Sequence, residues 1–470
     1  MIGGSIAGLL AARILADHFA EVLVIERDRF PDDPVSRKGV PQARHLHQVL
    51  MRGKLILEQL FPGLDAELLL HGALGLDFVA DTMWFNPIFG RGPCFDSGLR
   101  VTTCSRDLLE WLIRRRVASY SAVTFMEAHE VIGLIASEDR TRVIGVRTRA
   151  RGGAAVEQAQ AADLVVDASG RDSPAPDWLQ ELGYPAPQET VVNSFLGYAS
   201  RYYERPRDLQ TDWELLWVLN DPPATTRIGA VFPVEGNRWV VTLFGAAHDY
   251  PPHDEAGFLA FARSLADPTI YQVISAATPV SPIYAYRRTE SRLRHYERLA
   301  TRPEEFVALG DAVCGFNPIY GQGMTAAASA ALVLDRCLRQ QRRRRATGDL
   351  SGFARRFSRR LAQANSILWL MATGADSFYP TTEGGRRTPL IRLMHWYLNQ
   401  VLVISSYNPD VYLRFLKVMH LLVSPATLLH PGVVAAVVGN ALHPTPAPSA
   451  APTQEPMIDA VEQEREYGNR

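Results

Sequence analysis

The sequence predicts an α/β fold: a Rossmann-like, doubly wound nucleotide-binding domain, interrupted by an inserted, mostly antiparallel β-sheet and followed by a C-terminal helical region. Three observations carry this. Met1-Ile2 leads through Gly3-Gly4-Ser5-Ile6-Ala7-Gly8 into an apolar helix over residues 9–19, and a strand over residues 21–26 follows and ends on Glu26. Residues 163–167 and 306–309 then return as short, continuously apolar strands of the parallel-sheet kind. Between them, residues 191–293 are aromatic and β-branched, the texture of an antiparallel sheet.

Each element follows from local chemistry. Residues 27–44 form a polar, Pro-containing loop too long for a mere connector. Residues 82–101 are rich in Gly, Pro and aromatics, after which Ser105 caps a helix reaching Val117 with Leu108, Leu109 and Leu112 on one face. Residues 131–149 alternate around Glu138-Asp139-Arg140 and read as a hairpin. In the inserted sheet, strands are expected over residues 213–218, 228–234 and 238–243, the last two joined at Glu235-Gly236-Asn237. A helix is expected over residues 323–339, and the pattern stays helical from Ser351 to residue 441. The Pro-Thr-Pro-Ala-Pro tail from His443 is expected to be disordered. The nucleotide-binding domain thus comprises residues 1–80, 105–175 and 296–350, with a substrate-side segment at 81–104, the sheet domain at 176–295, the helical region at 351–441 and the tail at 442–470. The first strand is cut to two residues, and a natural start upstream of Met1 is the expectation.

Composition removes several function classes. Forty-nine basic residues meet 50 acidic ones, so the broad positive field of a nucleic-acid binder is missing. Cys94, Cys104, Cys314 and Cys337 contain no C-x-x-C pair, which speaks for a reducing compartment and no structural metal. No signal peptide opens the chain, and Arg414, Lys417, Pro425 and Pro431 interrupt its most apolar stretch, so a cytoplasmic protein without a membrane span is expected.

Gly3, Ser5 and Gly8 fill the glycine positions of G-x-G-x-x-G, where small residues let the backbone approach a pyrophosphate at a helix start. Glu26 stands where a carboxylate accepts the hydroxyls of an adenosine ribose. Two further motifs select the nucleotide. Asp167-Ala168-Ser169-Gly170-Arg171 follows one buried strand. Gly310-Asp311 follows another and continues as Pro318-Ile319-Tyr320-Gly321-Gln322-Gly323-Met324 before a small-residue helix. A strand-end aspartate suits the ribityl hydroxyls of FAD, and glycines before a helix admit its ring to the backbone.

With these motifs the chain resembles the single-component FAD-dependent monooxygenases, the class of aromatic hydroxylases and squalene epoxidase, over nearly its whole length to residue 441. The run Arg37-Lys38-Gly39-Val40-Pro41-Gln42-Ala43-Arg44-His45-Leu46-His47 is most similar to bacterial polyether epoxidases of ionophore biosynthesis. The resemblance implies that Ile6 and Ala7 lie on the pyrophosphate turn, Glu26 and Arg27 at the adenosine ribose, and Arg37 near the phosphates, with Arg44 also among the cofactor-binding residues. Arg106, Val131, Asp167, Asp311, Gly321, Gly323 and Met324 complete its FAD site, while His45 and His47 serve either the flavin or local packing.

The resemblance also implies the chemistry. One oxygen atom from O2 reaches an alkene or arene of a hydrophobic substrate through a flavin C(4a)-hydroperoxide, with no amino acid as nucleophile and NADPH or an external flavin reductase as electron source. The substrate pocket is expected between the flavin and the inserted sheet, with Trp213, Trp217, Phe232, Phe244 and Pro318 as candidate lining. Alkene epoxidation is favoured over aromatic hydroxylation and over a reductase saturating prenyl chains. A halogenase is disfavoured because the Trp-x-Trp-x-Ile-Pro segment is absent and none of the three lysines, Lys38, Lys54 and Lys417, matches the active-site position. The apolar helices after Thr388 are expected to lid the pocket, with peripheral membrane contact the less favoured reading.

Overall fold

The computed structural model describes residues 1–152, 156–345, 348–385 and 388–442. A parallel sheet organises the first part of the chain. Strand Val22–Ile25 pairs with Val123–Met126, and Val165–Asp167 pairs with Phe306–Ala308. Ile2 joins the two pairs: it bridges both Ile25 and Asp167 in parallel, its amide donates to Val166 O at 2.9 Å, and its carbonyl accepts from Ala168 N at 2.8 Å. Two residues therefore suffice as the central rung, because each backbone group of Ile2 is used. The helices Ile6–Leu15, Arg106–Ala118 and Gly323–Arg344 pack together beside this sheet, in one core cluster with it. Ser105 caps the second of them, its Oγ accepting from Leu108 N at 3.1 Å. The expected hairpin is present as His129–Ala136 and Val143–Ala150, extended by a third strand, Glu157–Ala161.

The inserted sheet has seven strands in the order Tyr284–Tyr286, Gly197–Glu204, Arg238–Gly245, Arg227–Val234, Leu215–Val218, Thr82–Asn86 and Gly90–Arg91. Only the pairing of Leu215–Val218 with Thr82–Asn86 is parallel. Alternation divides its side chains between two faces. Leu216, Val218, Val231, Val241 and Leu243 pack with the helices Glu255–Arg263 and Thr269–Ala276. Tyr198, Trp217, Ala230, Phe232 and Phe244 form the opposite face, which looks toward the nucleotide-binding part.

The chain continues with the helices Phe353–Asp376, Pro389–Ser405, Pro409–Met419 and Pro431–Leu442. The expected lid is corrected here. Tyr412 and Leu416 join the core cluster of the sheet's aromatic face, but among the described residues none after Ala327 lines the cavity described below. The last helices instead pack on one another through Val401, Ile404, Val411, Val418, Val433 and Val437, which leaves Leu390 and Leu393 exposed at 73% and 58%. No helix among the described residues is long and apolar enough to cross a membrane. The tail expected to be disordered, from His443, lies outside the described residues.

Candidate active site

A cavity of about 420 Å³ runs from the glycine turn to the aromatic face of the inserted sheet. At the turn, Gly3 has φ +92°, and a Cβ on Gly8 would stand 1.9 Å from Gly3 O. Only glycine lets the helix start close on the strand, and this closure presents Ser5, Ile6 and Ala7 to the cavity. Gly3 and Gly8 shape the turn from behind.

Glu26 is buried and already engaged: Oε2 accepts from Gly4 N at 2.7 Å, and Oε1 accepts from Asp28 N at 3.0 Å and pairs with Arg37 at 3.1 Å. Arg37 also meets Asp28 at 3.2 Å and Glu110 at 2.9 Å. Burial opposes its charge, but Glu110, Glu26 and Asp28 outweigh burial and raise its pKa. Arg106 donates to Glu110 at 2.7 Å and to Ser5 Oγ at 3.0 Å, and it lines the cavity. Arg27 lines it too.

Asp311 sits in a single turn, Gly310–Ala312, directly after its strand. Burial raises its pKa, with Arg171 and Arg106 pulling the other way, and the carboxyl opens to the cavity with no hydrogen-bond or ion-pair partner among the described residues. Gly321, at φ +62°, precedes the helix Gly323–Arg344, and Gly321, Gly323 and Met324 all line the cavity. A Cβ on Gly323 would meet nothing within 4 Å, so the N-terminal backbone of this helix is open to whatever occupies the space.

Glu26 and Arg37 do not line the cavity, and four further predicted positions lie elsewhere. Asp167 is fully buried, with Oδ1 accepting from Ser169 N at 2.9 Å and Oδ2 from Ser173 Oγ at 2.5 Å, so it holds its own turn. Arg44 lies over the Tyr284 ring at 4.9 Å and does not line the cavity. Val131 packs against the main core. Trp213 stacks on Trp239 on the far face of the sheet, because it precedes the strand Leu215–Val218 and the alternation does not reach it. Of the other pocket candidates, Trp217, Phe244 and Pro318 line the cavity, and Phe232 backs Trp217 edge-on at 5.6 Å.

The cavity also takes residues the sequence reading passed over. Tyr198, Thr242 and Tyr286 complete the wall and Asn317 stands along a side, where Arg171 and His47, both named from the sequence, join it. His47 Nδ1 lies 3.0 Å from His45 O, and burial lowers its pKa to about 4, with the charge of Arg106 adding to the effect. Burial likewise lowers His45 to about 3, His47 and Arg44 adding to it. Both imidazoles are neutral near pH 7. Asp376, at the end of the helix Phe353–Asp376, accepts from Ser194 and Asn317 at 2.8 Å each and from Tyr320 at 3.0 Å. Burial raises its pKa to about 6 despite these bonds.

This donor set fits a dinucleotide with a ribityl chain. The unpartnered Asp311 carboxyl suits hydroxyl donors, Gly323 leaves backbone uncovered, and Ser169 Oγ and Gln48 Nε2, in residues that line the cavity, are buried without partners. Among the described residues no cluster of His, Cys, Asp or Glu is placed to hold a metal ion.

Comparison with known proteins agrees. The family model described as FAD binding domain matches residues 1–364. The Mycobacterium tuberculosis protein Rv3254 is 33% identical over 394 residues, 81% of each chain. Kynurenine 3-monooxygenase of Salinispora tropica is 28% identical over 72% of each chain. Among solved structures, the flavin-dependent brominase Bmp2 superposes with TM-score 0.62 at 16% identity, over 88% of this chain and 92% of its own. PqsL of Pseudomonas aeruginosa does so with TM-score 0.57 at 15% identity, over 80% and 96%. At such identities these two structures share the fold. The chain belongs to the FAD binding domain family, and it is a flavoprotein oxidoreductase of the monooxygenase class.

Proposed function

We propose that the protein inserts one oxygen atom from O2 into an alkene of a hydrophobic natural-product substrate, a polyketide polyene or a terpenoid, forming an epoxide. One observation carries this reading: a single cavity joins the glycine turn and Asp311 to an apolar wall made by Tyr198, Trp217, Phe244 and Tyr286. Bound FAD, once reduced by NADPH or an external flavin reductase, supplies the oxygen activation; one atom of O2 enters the substrate and the other leaves as water.

The residues of this chain bind, orient and exclude water. Asp311, Ser5, Arg106 and the backbone at Gly323 would hold the cofactor, with Ile6 and Ala7 on its pyrophosphate and Arg27 toward its ribose, while Glu26 braces the turn through Gly4 N. The aromatic wall keeps the reacting end dry, which protects an activated oxygen from loss as hydrogen peroxide. Epoxidation needs no proton taken from the substrate, and the wall offers no good base. His47 is a weak one at a pKa of about 4, and burial holds the Tyr198 phenol protonated far above neutrality. Arene hydroxylation is the second reading, favoured by the likeness to kynurenine 3-monooxygenase. An oxygen electrode separates both from hydride transfer to an alkene. Substrate-dependent O2 uptake without matching peroxide supports the proposal, and substrate reduction with no O2 uptake refutes it.

A further inference from the structure

On the cavity-facing side of the inserted sheet, one row of paired positions runs Ser200, Thr242, Ala230, Trp217 and Trp84 across five strands. Ala230 is fully buried and offers only a methyl. The Trp217 indole therefore reaches across it, to 6.2 Å from the Phe244 ring, although their strands are two spacings, or about 10 Å, apart.

Three polar groups belong to residues that line this apolar wall, and each has unused capacity. Trp217 is 8% exposed, lines the cavity, and its Nε1 is buried with no partner. A buried indole N–H normally finds an acceptor. Tyr198, 3% exposed and also lining the cavity, has a hydroxyl with no partner among the described residues. Thr242 Oγ1 lies 2.7 Å from Ser200 Oγ, and Ser200 Oγ lies 2.9 Å from His45 Nδ1. Ser200 is fully buried and bonded on both sides, whereas Thr242 makes one side-chain bond and borders the cavity. The remaining capacity of that chain is at the cavity surface.

Three of the arginines that line the cavity are occupied, whereas Arg27, Lys38 and Asp311 line it without an ion pair among the described residues. Arg288 is paired with Asp172, Arg171 with Glu290, and Arg106 with Glu110. We infer that Trp217, Tyr198 and Thr242 form a recognition site for one neutral oxygen, a hydroxyl or carbonyl, on an otherwise apolar substrate. The inference rests on the proposed function for its use of the cavity as a substrate chamber. Anchoring the oxygen at the sheet leaves the hydrocarbon to span the cavity toward Asp311 and Gly323, so oxygen transfer falls on a carbon remote from the anchor.

The test is binding to the FAD-loaded protein, read by tryptophan quenching and by perturbation of the flavin absorption band. The probes are geraniol and the hydrocarbon of the same skeleton. Wild type is expected to prefer the alcohol by about tenfold, the scale of one net hydrogen bond. Trp217→Phe and Thr242→Val should each bring that ratio toward one, and Ser200→Ala, behind the wall, should reduce it through Thr242. Flavin content reports whether each variant is folded. Equal affinities in wild type, or a ratio unchanged in all three variants, overturns the inference, as does failure of either probe to bind. If the ratio behaves as expected and no probe is oxygenated, the recognition site stands and the proposed reaction falls.

Discussion

The Asn317 amide nitrogen donates to Asp376 Oδ1 across 2.8 Å, tying the loop that borders the cavity to the last turn of the helix Phe353–Asp376. Ser194 reaches the same oxygen from the inserted sheet's side. One buried carboxyl therefore joins three parts of the chain.

This carboxyl has a pH signature. Its pKa in the folded protein is about 6, above the ordinary 3.8, so the folded state holds its proton more tightly than the unfolded chain. The resulting stability is complete below pH 3.8 and is lost as pH rises through about 6. An amide keeps an acceptor for Asn317, Ser194 and Tyr320 and does not titrate. Asp376→Asn should thus gain stability relative to wild type between pH 4.5 and 7, by up to about 3 kcal/mol. Denaturant midpoints at several pH values measure it, and a parallel pair of curves would count against the assignment.

Asp311→Ala should separate cofactor binding from folding. The carboxyl is burdened by burial and has no protein partner, so its removal leaves the stability of the apoprotein unchanged or higher. FAD affinity should fall by roughly 10- to 150-fold, the worth of a hydrogen bond to a charged acceptor, about 1.5 to 3 kcal/mol. Titration of apoprotein with FAD gives the number. Undiminished affinity would remove Asp311 from the cofactor site.

Arg37→Met should do the opposite, since it strands Glu26, Asp28 and Glu110 without their shared cation. Breaking a buried pair costs about 3 to 5 kcal/mol. Arg37→Lys, a single point charge in place of a fork, should fall between that variant and wild type. Chemical denaturation of the three proteins ranks them, and equal midpoints would mean the cluster is solvated.

Which parts of this site could be read from the sequence follows from how local each one is. The glycine turn, the Ser105 cap and the hairpin after His129 are set by neighbours within a few residues, and each is present in the fold. Asp167 misled because any strand-end carboxylate resembles a ligand; the serines two and six residues later, which consume both its oxygens, were the available signal. Arg37 and Arg44 share one polar loop, and only the fold sends the first into three carboxylates and the second onto Tyr284. The wall containing Tyr198, Thr242 and Tyr286 depends on register between strands more than 40 residues apart, so no window of sequence shows which face they share.

The central claim is that O2 supplies an oxygen atom to an apolar substrate held against the Trp217 wall. The direct measurement is mass spectrometry of products from polyene and phenolic candidates, turned over under 18-O2 with NADPH and a flavin reductase. The account predicts one labelled oxygen in the product, as an epoxide, with the label absent when the reaction runs in labelled water under ordinary O2. An unlabelled product, or a reduced alkene carrying no new oxygen, would contradict it.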